Sequence, residues 1–195
     1  MKNRIYRTLH PRAPWLTPAA IKFLRAYLRA GMAGFEWGSG KSTLFFAQRV
    51  KSVISVEHSG EWYARVKAQL RQAGLMSKVK YQLIPPNPRE DFAERSSENP
   101  EDAVCLAAMQ KKEFYAYARK ITAYPDDHFD FILVDGRARV GCMCFARKKV
   151  KRGGVLVLDN AERQRYQPAF GYFNGWTKTE TSNGLWHTTI WKRDN

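Results

Sequence analysis

The sequence is short of acid, short of cysteine and without long apolar runs. Eighteen Asp and Glu stand against 33 Lys and Arg in 195 residues, a formal charge of +15. Such an imbalance creates a field that an anionic partner would answer, whether nucleic acid, an anionic polymer or an anionic metabolite. No apolar run approaches the ~18 residues a membrane span requires. The basic start, Met1 to Leu9, lacks the apolar stretch of a secretory signal. The three cysteines, Cys105, Cys142 and Cys144, cannot all pair and are too few for a disulfide scaffold. They point to a reducing compartment and a cytoplasmic location, with Cys142 and Cys144 as small buried hydrophobes.

What the chain does hold is buriable surface. With 11 Phe, 9 Tyr and 6 Trp, and 44% hydrophobic against 26% charged residues, it excludes disorder and suits one compact domain over residues 1–195. The acid shortage is uneven. Residues 1–60 carry ten basic side chains and only two acids, Glu36 and Glu57.

Periodicity organises the chain. Pro18 to Ala30 has helical spacing, with Thr17 as its N-cap and Gly31 as its stop. Met32 to Trp37 runs as a strand into Gly38-Ser39-Gly40, after which Ser42 to Val50 resumes helical spacing. Val53 to Val56 reads as a strand, Glu61 to Ala73 as a helix, and Lys78 to Ile84 as a strand stopped by Pro85-Pro86. A polar insert spans 85–124: a proline-bracketed loop or lid to residue 100, then helical spacing from Glu101 to Tyr124. Phe131 to Val134 and Val155 to Leu158 are uninterrupted apolar strands, each ending at an aspartate, as in parallel sheets covered on both faces. Gly175 to Lys192 reads as a hairpin around Ser182-Asn183-Gly184. The alternation predicts an α/β doubly wound, mostly parallel, Rossmann-like sheet closed by an antiparallel hairpin.

Ligands of such sheets sit beyond the carboxyl ends of the strands. The informative residues are therefore Gly38 to Thr43, Glu57-His58, Asp135 to Arg139, and Asp159-Asn160. Gly40-Lys41-Ser42-Thr43 imitates a phosphate-binding P-loop, but the glycine such a loop needs five positions before Gly40 is Phe35. A dinucleotide fingerprint fails at its third glycine, which is Thr43. Two carboxylates decide between ligands: Glu36 just before the turn would repel pyrophosphate and suit an ammonium, and Glu57, 19 residues after Gly38, suits ribose hydroxyls. A ligand with an ammonium and a ribose but no phosphate is S-adenosylmethionine.

The run Glu36-Trp37-Gly38-Ser39-Gly40-Lys41-Ser42-Thr43, with Ser55-Val56-Glu57-His58, Phe129 to Arg137, and Gly153 to Asn160, resembles the successive motifs of class I S-adenosylmethionine-dependent methyltransferases. The resemblance covers about residues 15–192. It implies a seven-stranded sheet, with Glu36, Gly38 and Gly40 against the methionine moiety, Glu57 on the ribose and His58 near adenine. Trp37, Ser39, Ser42, Thr43 and Asp135 complete the expected cofactor set. It departs from the family in the polar insert and at Ser42-Thr43.

Methyl transfer from a sulfonium is an in-line displacement in which the protein mainly aligns the nucleophile, an oxygen or nitrogen of the acceptor. Asp135, Asp159 and Asn160 are the candidate catalytic residues, similar to the metal-binding trio of catechol O-methyltransferases, and could alternatively serve as loop or helix caps. Arg137, Arg139 and Tyr166 are candidate substrate contacts, with Arg163 and Arg165 beside them; ion pairs with Asp135 or Asp159 are the alternative for the first two. The run Arg147 to Arg152 reads as a solvated helix C-terminus, and Phe170, Tyr172, Phe173, Trp176, Trp186 and Trp191 read as packing of the hairpin, with stacking on bases or sugars as the alternative. Two other functions stay open: a nucleic-acid-binding module that keeps the fold without turnover, and a P-loop phosphotransferase.

Overall fold

The computed structural model describes residues 13–89 and 100–194; most of the expected N-terminal arm and of the polar lid lie outside the described residues. Seven strands form one mixed sheet in the order β3-β2-β1-β4-β5-β7-β6. They are β1 (Ala33–Trp37), β2 (Ser52–Glu57), β3 (Val79–Leu83), β4 (Phe129–Val134), β5 (Val150–Asp159), β6 (Thr177–Ser182) and β7 (His187–Lys192). The first five run parallel, while β7 is antiparallel to β5 and β6 antiparallel to β7. This is the doubly wound sheet with a terminal antiparallel hairpin that the alternation predicted.

Helices cover both faces. On one lie α1 (Pro18–Tyr27), α2 (Lys41–Ala47) and α3 (Gly60–Gln72); on the other lie α4 (Pro100–Ala107), α5 (Tyr115–Arg119) and α6 (Arg139–Ala146). Strand pleating divides the core accordingly. Phe131, Leu133, Val155 and Val157 pack toward α1 and α2, while Ile132, Val134, Leu156 and Leu158 pack toward α5 and α6. Each fully buried side chain of this size contributes roughly 1.5–3 kcal/mol. Thr17 caps α1 as expected, its hydroxyl accepting the Ala20 amide at 3.3 Å, but the helix ends at Tyr27 because Leu28 is extended.

Three local expectations fail for tertiary reasons. The helical spacing over 101–124 breaks into α4, a 3-10 turn at Lys112–Phe114, the short α5 and a second turn at Lys120–Ala123. Met109, Phe114, Tyr115, Tyr117 and Ala118 are all buried in one cluster, more directions than one helical stripe can face. The basic run is not a helix end throughout. Arg147 caps α6, but Val150 to Arg152 already belong to β5, where Gly153 (φ +72°) permits a bulge opposite Asp130. Finally, Cys105 of α4 and Cys144 of α6 form a disulfide, and only Cys142 is a free buried thiol. Residues 39 apart in sequence are brought together only by packing, so the cysteine count does not support a reducing compartment. Phe170, Phe173 and Trp191 do pack as a cluster under the hairpin, with ring centroids 5.0–5.3 Å apart.

Candidate functional site

The carboxyl ends of β1, β2, β4 and β5 bring the motif residues together, and the first question is which of them face open space. After β1 the chain turns at Gly38, whose φ of +88° favours glycine. A side chain there would lie 2.7 Å from the Gly136 nitrogen, so the turn after β1 and the turn after β4 touch backbone to backbone. Gly136 is itself covered: an added Cβ would meet the Tyr117 hydroxyl at 2.0 Å.

Glu36 lies beneath the turn. It is fully buried, with Oε1 accepting the hydroxyls of Ser55, at 2.7 Å, and Thr43. The Thr43 oxygen in turn accepts the Gly40 amide at 3.0 Å. Burial raises Glu36 to about 7 against those hydroxyl bonds, and its Oε2 has no hydrogen-bond partner. Glu36 and Thr43 therefore tie the turn to the end of β1. Trp37 also points inward, its Nε1 donating to the Tyr117 carbonyl at 2.9 Å.

The acid that faces the glycine turn is Asp135. It lines a cleft of about 270 Å³ together with Ser39, Gly40, Lys41, Ser42, Trp15 and Trp62. Trp62 stiffens this wall by donating from Nε1 to the Ser39 carbonyl at 2.7 Å. Burial, against the pull of Arg139, raises Asp135 to about 6.

At the end of β2, Glu57 is held ionised. Burial alone would raise it, but donors from His58, Ser59 and Ser39 outweigh that and bring it to about 2. Its Oε2 accepts the Ser39 amide (3.1 Å) and hydroxyl (2.8 Å), and its Oε1 accepts the amides of His58 (2.8 Å) and Ser59 (2.9 Å). A ribose diol meets this carboxylate only by exchanging with the Ser39 hydroxyl. His58 packs edge-on against Phe114 and Tyr117, with centroids 5.6 and 5.9 Å away. Those two aromatics come from the polar insert, and no local motif marked them.

The expected metal trio is arranged otherwise. The Arg139 guanidinium bridges the ends of β4 and β5: Nη2 donates to Asp135 Oδ1 at 2.9 Å and to its carbonyl at 3.0 Å, Nε to the Gly136 carbonyl at 3.0 Å, and Nη1 to the Asp159 carbonyl. Asp159 is buried and accepts the Thr188 hydroxyl at 2.8 Å. Burial, and then the neighbouring Asp135, raise it to about 7. Asn160 sits in a left-handed turn (φ +51°). A fixed cation thus stands at the strand ends where a metal was considered. No group of three or more His, Cys, Asp or Glu side chains that could hold a metal ion occurs among the described residues. Arg139, only 7% exposed, is a brace beneath the surface and not a free substrate contact.

Arg137 is exposed and reaches His58, Nε to Nε2 at 3.4 Å. Tyr166 is buried against two guanidiniums, Arg139 at 5.3 Å and Arg165 at 5.0 Å from its ring centroid. Arg137 and Tyr166 line a second cleft of about 120 Å³ beyond β4 and β5.

This fold, with its glycine turn, its acid at the end of β2 and its strand-end clefts, is the class I methyltransferase fold. No protein-family model matches the chain, and no curated protein matches it. Solved structures do. A methyltransferase-like protein from Silicibacter pomeroyi superposes with a TM-score of 0.58 at 23% identity, covering 93% of this chain and 89% of its own. An rRNA methylase from Streptococcus thermophilus gives 0.62 at 10% identity, over 94% and 100%. A SAM-dependent O-methyltransferase from Thermotoga maritima gives 0.58 at 12% identity, over 96% and 69%. At these identities the likeness establishes the architecture. No helix among the described residues is long and apolar enough to cross a membrane.

Proposed function

We propose that this protein is an S-adenosylmethionine-dependent methyltransferase whose acceptor enters the cleft beyond β4 and β5. The observation that carries the reading is the pairing of an ionised, multiply bonded Glu57 at the end of β2 with a glycine turn whose cleft contains the Asp135 carboxylate. The residues fit the cofactor, with one reassignment. The backbone of Ser39 to Ser42 and the Asp135 carboxylate suit the aminoacyl end, Glu57 suits the ribose, and His58 stands beside it. When bound there, the cofactor supplies an electrophilic methyl group on a sulfonium.

The chain's own contribution is placement. Glu36 and Thr43 hold the turn, Arg139 keeps the ends of β4 and β5 in fixed relation, and Tyr117 with Phe114 covers the junction. Positioning of this kind supplies up to ~7–11 kcal/mol of a barrier in favourable systems. An oxyanion or a neutral amine attacks without a general base, while a neutral hydroxyl acceptor would have to pass its proton to a carboxylate at the strand ends or to water.

Calorimetry with S-adenosylhomocysteine tests the reading. Wild type should bind, Glu57→Ala should bind at least ~10-fold more weakly through loss of a charged acceptor, and exposed Lys41→Ala should bind as wild type does. ATP binding that disappears in Lys41→Ala would instead establish a phosphate-binding turn.

A further inference from the structure

The second cleft carries more charge than the fold needs. Its lining includes Lys111, Arg137, Arg139, Arg163 and Arg165 and, among the described residues, no Asp or Glu. Arg139 is saturated by Asp135 and three backbone carbonyls. The other four cations are exposed. Arg163 has Glu162 at 3.9 Å, an exposed pairing of little strength, and acts on the Asp135 carboxyl through space without a direct ion pair to it among the described residues. Arg165 Nη2 donates to the Tyr166 hydroxyl at 3.1 Å, which leaves most of its fork directed elsewhere. Met109, Val140 and Tyr166 supply an apolar wall in the same cleft.

These cations come from three separate segments: Lys111 after α4, Arg137 after β4, and Arg163 and Arg165 after β5. Converging like charges repel unless an anion joins them. We infer that this cleft binds the phosphoryl group of a small phosphate monoester, with Arg137, Arg163, Arg165 and Lys111 on the phosphate and Tyr166 against the organic body. A phosphoryl group carries about −1.5 to −2 charge and three acceptor oxygens, enough for several guanidinium forks. A single carboxylate satisfies one fork. The enclosed volume, about 120 Å³, matches a phosphoryl group with a small organic body, whereas a nucleic acid strand needs a continuing track of cations. The inference rests on the methyltransferase reading for the ligand's role as acceptor, but not for its binding.

The test uses the intact chain and four probes in calorimetry: phenyl phosphate, benzoate, a single-stranded RNA oligonucleotide and S-adenosylhomocysteine. Phenyl phosphate should bind at least tenfold more tightly than benzoate. Arg163→Gln/Arg165→Gln and, separately, Lys111→Gln should each weaken it, the double variant by tenfold or more, with thermal midpoints checked to confirm folding. Equal binding of the two small anions, or unchanged binding in folded variants, overturns the phosphoryl site. RNA binding that displaces phenyl phosphate and is lost in the same variants overturns the small-molecule assignment. Phosphate binding without S-adenosylhomocysteine binding leaves the site standing and removes the methyltransferase reading; the opposite pattern does the reverse.

Discussion

Replacing Glu36 by Gln should change how stability depends on pH, and the size follows from burial. The carboxyl is fully buried and raised from 4.5 to about 7, mainly by desolvation. Below pH 4.5 it is protonated both folded and unfolded, so it contributes no pH dependence. Between 4.5 and 7 the unfolded chain releases a proton that the folded chain keeps, so folded stability falls as pH rises. Above 7 the penalty is complete, about 3 kcal/mol for a rise of this size. Glutamine keeps the shape and an acceptor for Thr43 and Ser55 but cannot ionise. The stability of Glu36→Gln relative to wild type should therefore improve by about 3 kcal/mol between pH 4.5 and 8. Urea unfolding of both proteins at half-unit steps of pH reads this directly, and the other raised carboxyls, Asp135 and Asp159, largely cancel in the difference. A stability difference that stays constant across that range would refute the claim that Glu36 is a sealed, nearly neutral brace.

Glu57 should behave with the opposite sign: held at about 2, it stabilises above pH 4.5 and loses that contribution as pH falls toward 2, so Glu57→Gln should flatten the acid limb of unfolding curves by about 3 kcal/mol. Arg139→Met removes the cation paired with Asp135 and the donor to three strand-end carbonyls, and should cost about 3–5 kcal/mol at pH 8, partly restored by adding Asp135→Asn; denaturant midpoints of the four proteins in that cycle measure it. Gly136→Ala places a methyl 2.0 Å from the Tyr117 hydroxyl and 3.0 Å from the Gly38 nitrogen, so it should lower the melting temperature by several degrees, and less so with Tyr117→Phe. Reducing Cys105–Cys144, which closes a separation of 39 residues, should remove about 4 kcal/mol of stability, a loss that Cys105→Ser/Cys144→Ser shows without reductant and that reductant does not deepen.

Much of the architecture was legible in the residues alone because it rests on local physics. β-rich apolar runs such as Phe131 to Val134, bounded by polar residues, form buried strands, Gly38 bends where other residues resist, and Thr17-Pro18 starts a helix through its own hydroxyl and fixed φ. The strand-end motifs were legible for the same reason, since their spacing reflects one turn between a strand and a helix. The roles within those motifs needed the folded chain. Glu36 and Asp135 are both acids at strand ends, and only the placement of Thr43 and Ser55 under β1 seals the first while the second stays on the cleft. Arg139 and Arg137 are two residues apart, yet the left-handed turn at Ala138 between them sends one under the surface to bridge β4 and β5 and leaves the other in solvent. The disulfide, the Tyr117 cover over Gly136 and the meeting of Lys111 with Arg163 and Arg165 all join segments distant in sequence. Contacts of that kind have no period and no spacing; they exist only once the sheet has set the distances between its loops.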